Sequence, residues 1–595
     1  MTLNKPGVLS ILLLLLLLTC CGIAIAQGPY VILKNGVDVD LASDGRMAAD
    51  DSLAGGNAIT LDLATHGPNV TAGHAIQFRG GNVQVNDSSL DNEQIFPNFR
   101  PFEKRTQSET TVAHSGNNIV VSYNSSANQP LTANNPTNPT VLTFTHRFLS
   151  AFSTSNDGGK TWRSGFVPPV PGSIFTFGDG VVAADSSGNF YYAGLGADAM
   201  GGSTVQVNKS TDGGRTWRPA VVVQQDDGSD KEWIAVGPDP TNGGKDSVYV
   251  TWTSFQPSGQ QIRFGKSTDG GATWTSKTVF APSPDPDPTA PQNSLQFTTP
   301  YVDSGNGRLY ISFAQFSNSD TDFLRILRSD DGGNSFSFVS FNIPGASLTS
   351  VVPIVQAGEL IDCGNNGGFR LSIHDGAPLA GRFGLRTFVQ ASRLVTEADF
   401  AAQNGVLNLA WSNSTSSFFG DPTSGSNILF MRSTDGGTTW TTPMQVNPAA
   451  AADIHHVLPA LSIDKHTKDV HIVYYTQHTD GTVDLDMTNS RDGGQTFPAN
   501  RAVHVTSTAS VLAPTNIPLA TPPTGLTTNY DRTIRPCYNL GEYVGADSLG
   551  STNGTVFTAW GDGRTPFTEP ANALDPLSGQ SHPQQDVFFQ EVKAH

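Results

Sequence analysis

Seven places in this 595-residue chain open a strand-like run with a residue in one repeating slot: Glu109, Asp179, Glu232, Thr299, Glu397, Leu458 and Glu542. Five of the seven are carboxylates, and their neighbours Ser108, Asp230, Lys231, His455, His456 and Tyr543 are polar as well. Carboxylates that converge on one axis raise one another's pKa or attract a cation. The functional reading is a polar pocket, with Glu109, Glu232, Glu397 and His456 as its ligand-binding residues. The plainer reading of the same residues is a water-filled channel whose acids hold waters and cap strand ends. No Cys/His spacing resembles a zinc site. No cofactor is required, a bound cation such as calcium is compatible with the slot, and the metal, if any, is unknown at this point.

What must position these residues is a repeat. The phrase Ser-x-Asp-x-Gly-x-Thr-Trp, with Phe closing two of the copies, occurs six times around Asp157, Asp212, Asp269, Asp331, Asp435 and Asp492. Four of the five spacings lie between 55 and 62 residues and one is 104. A fixed period of this length fits a four-stranded sheet with its loops, repeated around an axis. The phrase has the chemistry of a turn. Its Asp accepts from nearby amides, its Gly-Gly pair is free to take φ > 0, and its terminal ring buries and pins the turn.

Seven continuous apolar runs, from Ile119–Tyr123 to Val556–Trp560, suit buried sheet strands. A second run precedes each box. The seventh such run, Val587–Val592, has no box after it, so the last sheet needs its fourth strand from elsewhere. Asn82-Val83-Gln84-Val85-Asn86 resembles Met444-Gln445-Val446-Asn447, which follows a box, and is the expected closing strand. Leaving the last sheet open would expose an edge. The long spacing is read as an insertion at residues 337–392, with an eighth, degenerate blade as the alternative.

The repeated phrase resembles the Asp-box of sialidases and other BNR-repeat proteins. The resemblance implies an all-β Asp-box β-propeller, seven blades favoured over six or eight, with the ring closed by an N-terminal strand. It places the boxes on the outer rim, away from the ligand face, so they argue for fold rather than chemistry. It also implies an exo-α-sialidase type of glycoside hydrolase, with arginines clamping a substrate carboxylate, a Tyr nucleophile beside a Glu, and an Asp acid/base. Here the nearest matches are Arg100 in Phe99-Arg100-Pro101, Arg535 in Thr533-Ile534-Arg535-Pro536, the Glu542–Tyr543 pair, and Asp179 as the acid. The middle arginine has no match, since Arg263, Arg325 and Arg432 precede boxes, towards the rim. Adjacent Glu542 and Tyr543 would point to opposite faces of an unbroken strand. A non-catalytic propeller that binds glycan or protein on its channel face is therefore the alternative.

The remaining composition bounds the partners. A net charge of −18 disfavours nucleic acid, and a glycan-directed monomer is expected. Lys5, the apolar run Ile11–Leu18 and Ala24-Ile25-Ala26 read as a signal peptide over residues 1–26. The run is short for a transmembrane span, so a secreted or periplasmic protein is expected. Lipoprotein anchoring at Cys20 is disfavoured by Thr19 before it. Residues 27–105 form an N-terminal arm that includes the closing strand near 83–87, and 106–595 form the repeat domain. The two cysteines left after cleavage, Cys363 and Cys537, are either a disulfide or two buried thiols.

Overall fold

The computed structural model describes residues 31–33, 76–77, 81–91, 96–97, 107–256, 259–282, 294–316, 323–344, 346–348, 352–353, 398–415, 425–450, 453–479, 482–511, 543–548, 554–568, 571, 579 and 581–593. Among these residues the structure is all-β, interrupted only by three short 3-10 turns. Cys363, Cys537 and the segment 354–392 of the expected insertion lie outside the described residues, as does the expected signal peptide. The insertion's first residues, Ser337–Phe338, form the fourth strand of a sheet.

Seven antiparallel meanders of four strands can be traced among the described residues. Sheet one is Gln107–Ser115, Asn118–Asn128, Arg147–Ser155 and Arg163–Phe166. Sheet two is Phe175–Ala184, Phe190–Ala197, Ser203–Ser210 and Val221–Gln225. Sheet three is Ser229–Pro238, Asp246–Gln256, Gly259–Ser267 and Thr275–Phe280. Sheet four is Ser294–Val302, Leu309–Phe316, Phe323–Ser329 and Ser337–Phe338. Sheet five is Ala398–Gln403, Val406–Ser414, Ser426–Ser433 and Met444–Gln445. Sheet six is Asp453–Ile463, Val470–His478, Thr482–Ser490 and Val503–His504. Sheet seven is Gly545–Asp547, Thr555–Thr568, Ser581–Lys593 and, from the far end of the chain, Val83–Gln84.

Second strands are buried on both faces, which is why they read as unbroken apolar runs: Ile119, Val120 and Val121 are all fully buried, as are Tyr249, Val250 and Trp252. First strands pack on one another in chain order, from Gln107–Ser115 onto Phe175–Ala184 and so on to Gly545–Asp547, which packs back onto Gln107–Ser115. Side chains fasten this last contact. Asp547 Oδ2 accepts from the His114 amide at 2.8 Å and faces His114 Nδ1 at 2.7 Å. The Thr110 hydroxyl donates to Ala559 O at 2.7 Å. A Cβ on Gly545 would stand 2.8 Å from Val112 N, so only glycine permits this approach. The Val83–Gln84 strand pairs with Phe588 and Phe589 and is held by Asn86, whose Oδ1 accepts from the Val587 amide at 2.8 Å.

The six repeated phrases share one geometry. In the second, the Ser210 hydroxyl donates to Asp212 Oδ1 at 2.8 Å and accepts from the Gly214 amide at 2.9 Å, while the Thr216 hydroxyl donates to Asp212 Oδ2 at 2.6 Å. Both glycines have positive φ, 77° and 81°. Each phrase follows a third strand, so it stands at the opposite end of its sheet from the start of the first strand. Four phrases also lean on the preceding sheet. The carbonyls of Gly213, Gly270, Gly332 and Gly436 accept from Thr154, Lys209, Lys266 and Arg328 in turn.

Two predictions follow from this packing. Val85 is 2% exposed between the closing strand and sheet one, so Val85→Asp should destabilise the protein by about 3–5 kcal/mol through an uncompensated buried charge, read as a lower midpoint in urea. The phrase carboxylates give a pH dependence. In Asp157, Asp331 and Asp492 burial is outweighed by hydroxyl and amide donors, in Asp269 the Thr273 hydroxyl acts most strongly, and all four sit at about 2. Folded values below the unfolded 3.8 mean that their stabilisation is present above about pH 4 and is lost as pH falls through about 2. The Tm gap between wild type and Asp269→Asn should therefore shrink across that window.

Candidate functional site

The first strands are not regular. Between Ser108 and Thr111, Gly178 and Val181, Asp230 and Trp233, Gln296 and Thr299, and Val457 and Ala460 the register shifts, so two residues oppose one. Each of these five bulges holds a non-glycine residue in the left-handed region: Glu109 at φ 55°, Asp179 at 55°, Lys231 at 51°, Phe297 at 61° and Leu458 at 54°. Such a conformation costs roughly 1–3 kcal/mol per residue and persists only where the surroundings over-determine it. A bulge also turns a side chain away from its alternating place.

The bulges correct the sequence alignment. The slot equivalent to Glu109 and Asp179 is held by Lys231, not Glu232, and by Phe297, not Thr299. The slips of one and two residues arise because a bulge adds a residue that alternation cannot reveal. Glu109 and Asp179 occupy the slot as expected, and Glu232 is the second bulge residue beside it.

These residues form one buried cluster. Glu109, Asp179, Lys231 and Glu232 are each at most 3% exposed, and Tyr543 is 5% exposed. Asn124, one residue beyond the apolar run of sheet one, bridges two sheets: its Nδ2 donates to Glu109 Oε2 at 2.6 Å and its Oδ1 accepts from the Asp179 amide at 2.7 Å. Gln296 Nε2 donates to Asp230 Oδ2 at 2.6 Å. The Lys231 ammonium lies 3.4 Å from the ring centre of Tyr543 and 5.1 Å from that of Trp233, and the two rings meet edge-on at 5.0 Å. Among the described residues, neither carboxyl oxygen of Glu232, nor Asp179 Oδ1, nor the Tyr543 hydroxyl has a hydrogen-bond partner.

The electrostatics follow from burial and crowding. Burial, then Glu109, Glu232 and Asp230, push the Asp179 carboxyl well above its usual range, against the pull of Lys231. Burial drives Glu232 up in the same way, with Asp230 and Glu109 adding to it and Lys231 opposing. The Tyr543 phenol is raised by burial first and then by Glu109, Asp179 and Glu232. Asp399, on the first strand of sheet five, is raised to about 6 by burial, although the Leu461 and Phe400 amides and Lys231 favour its charge. A carboxyl that keeps its proton at neutral pH can act as a general acid or as a hydrogen-bond donor.

Of the expected site residues, Glu109, Asp179, Glu232 and Tyr543 are brought together. Arg100, Arg535, Glu397 and Glu542 lie outside the described residues. His456 sits in a separate network. Its ring belongs to sheet six, where Nε2 faces Asp453 Oδ2 at 3.4 Å and Nδ1 donates to Ser426 O at 3.1 Å. It stands two residues before the Leu458 bulge, and that spacing turns it into a different network. Arg263 and Arg325, on third strands, lie against Trp252 and against Phe280 and Phe338. Arg564 closes on Asp562, with Nε donating to Oδ2 at 2.9 Å. Among the described residues no three His, Cys, Asp or Glu side chains are placed to hold a metal ion. Sequence reasoning missed the central part of Lys231 and Asp399. The signal available was a lysine adjacent to a slot acid.

No protein-family model matches the chain, and no curated protein matches it. Among solved structures it is similar to a protein of unknown function from Dyadobacter fermentans, at 13% identity over 72% of this chain and 98% of that one, with a TM-score of 0.36. It is similar to a Hadza microbial sialidase at 14% identity over 77% and 78% of the two chains, with a TM-score of 0.34. An ulvan lyase of a polysaccharide lyase family is similar at 9% identity over 79% and 93%, with a TM-score of 0.43. No described helix is long and apolar enough to cross a membrane.

The cluster yields a pH test. A carboxyl whose folded pKa is raised contributes stability that is present below its unfolded value, near 4.5 for Glu232, and is lost as pH rises towards the folded pKa. Between about pH 5 and 8 the Tm of wild type should fall relative to Glu232→Gln, which lacks an ionisable carboxyl at this position. A gap that stays constant over that range would mean that Glu232 is already ionised when folded.

Proposed function

We propose that the seven sheets are the blades of one Asp-box β-propeller, closed by the strand at 83–87, and that its central cluster acts on glycans. On this reading residues 1–26 export the chain, residues 27–105 form an arm that completes the ring, 106–595 form the propeller, and the protein works as a monomer outside the cytoplasm or in the periplasm. A Cys363–Cys537 disulfide would tie the insertion to the last blade.

The observation that carries the reading is the seating of Tyr543 among three buried carboxyls, Glu109, Asp179 and Glu232, next to one ammonium. In the exo-α-sialidase scheme Asp179 donates its proton to the leaving glycosidic oxygen while Tyr543 Oη attacks the anomeric carbon. Glu542 takes the phenol proton, and Arg100 and Arg535 hold the sugar carboxylate. Tyr543 is the group that needs such a base, because its surroundings hold it as the neutral phenol.

A second reading has its own support. The described cluster is dominated by acids, and Lys231 is already stacked on Tyr543. An acidic pocket repels an acidic sugar and favours neutral or cationic glycans bound without hydrolysis. Release of fluorophore from an α-linked sialoside separates the two. The hydrolase reading expects turnover by wild type and a loss of roughly 100-fold or more in Tyr543→Phe and Arg535→Ala. With no release from any α-sialoside, the binding reading expects retention of neutral glycans on an array, lost in Tyr543→Ala. Failure of both assays would overturn the glycan-directed reading.

A further inference from the structure

Sheet six carries a line of alternating carboxylates and imidazoles that the central cluster does not use. It crosses all four strands. On the first strand His456 Nε2 faces Asp453 Oδ2 at 3.4 Å. Asp453 Oδ1 is 2.9 Å from Nδ1 of His478, at the end of the second strand. Nε2 of the same ring is 2.8 Å from Asp484 Oδ2 on the third strand. Asp484 Oδ1 lies 3.6 Å from Nε2 of His504 on the outer strand, and His504 Nδ1 is 2.9 Å from Asp486 Oδ1. The hydroxyls of Thr506 and Thr476 donate to Asp484 and Asp486, each at 2.6 Å.

The geometry states what the protons must do. Both nitrogens of His478 face carboxylate oxygens, so both bonds exist only while both nitrogens carry hydrogen. A neutral ring would set a lone pair against a carboxylate. His504 makes one such bond, Nδ1 to Asp486 Oδ1 at 2.9 Å, while its Nε2 stays 3.6 Å from Asp484 Oδ1, an ion-pair rather than a hydrogen-bond distance.

The outer end of this line is a seam. Thr506, bonded to Asp484, lies between Val505 and Ser507. Val505 O accepts from Asn82 Nδ2 at 2.9 Å, and the Ser507 amide donates to Asn82 Oδ1 at 2.6 Å. Arg564 Nη1 of sheet seven donates to Asn82 Oδ1 at 2.9 Å and to Ser507 Oγ at 3.1 Å. Asn82 immediately precedes the Val83–Gln84 strand that completes sheet seven.

We propose that this carboxylate–imidazole line is a proton-operated latch on the seam between sheet six and the closing strand, shut while His478 and His504 are protonated and loosened when they are not. Burial lowers the pKa of His478, but hydrogen bonds and charge from Asp484 and Asp453 outweigh it, so the net movement is up. Asp486 raises His504. Burial lowers the pKa of His456, the inner end of the line, against the pull of Asp453 and Asp486. The other titratable groups facing the line are Tyr474, whose ring centre is 5.7 Å from that of His456 and whose phenol is raised by burial, and the Arg564–Asp562 pair, whose guanidinium also reaches the seam. A histidine raised above its unfolded 6.5 contributes stability that is fully present below that value and is lost as pH rises through the folded pKa.

The test is amide hydrogen exchange on the full chain from about pH 6 to 9, corrected for intrinsic rates. Protection at residues 81–86 and 503–507 should fall about tenfold or more with rising pH, the effect of one linked pKa unit. Protection in sheets two and three should not follow. In His478→Gln the seam should be weakly protected with only the shallow slope that His504 leaves, and His504→Gln, on the exposed ring, should give a reduced slope even if the first variant does not fold. Seam protection that is independent of pH in wild type, or an unchanged slope in His504→Gln, would overturn the latch.

Discussion

One buried ammonium offsets several carboxyls, and the first strands are arranged around that balance. Glu109, Asp179, Glu232 and Asp399 come from sheets one, two, three and five, and the Lys231 charge acts on Asp179, Glu232 and Asp399. Two unit charges at 4 Å interact by about 4 kcal/mol at an effective dielectric constant of 20. A buried ion without a partner costs several kcal/mol. One ammonium can therefore hold about one negative charge in place, and the remaining acids relieve the crowding by keeping their protons. The same excess of acid that makes the cluster difficult to bury shifts Asp179 and Glu232 towards their protonated forms.

The local backbone serves this arrangement. Five bulges in one relative place, each with a left-handed non-glycine residue, are a repeated expense that a purely structural sheet has no need to carry. Neighbouring sheets meet them: Asn124 holds both the Glu109 carboxylate and the Asp179 amide, and the Ser412 hydroxyl accepts from the Leu458 amide at 3.1 Å. The repeated phrases do the opposite task at the other end of the sheets. They satisfy themselves internally and reach back to the previous sheet, so stability and chemistry are kept apart by the length of a strand.

Much of the architecture is legible in the residues. The second strands announce themselves as unbroken apolar runs because both faces are covered, and the phrases do so because their Asp, Gly and Thr each have a fixed turn role. The last sheet's shortage of a strand points to Val83–Gln84 for the same reason that edges are costly. The cluster is legible only in part. Glu109 and Asp179 fall where the repeat puts them, but the bulge shifts sheets three and four by one and two residues, which hides Lys231 behind Glu232. Asp399 and the His456–His504 line depend on which sheets touch, a property that strand-by-strand alignment does not carry.

The central claim is that the cluster keeps carboxyl protons at neutral pH. Infrared difference spectroscopy of wild type against Glu232→Gln tests it most directly. The account predicts a protonated-carboxyl C=O band at pH 7 that is present in wild type and missing in the variant. A difference spectrum that instead shows only the loss of an ionised carboxylate band would contradict it.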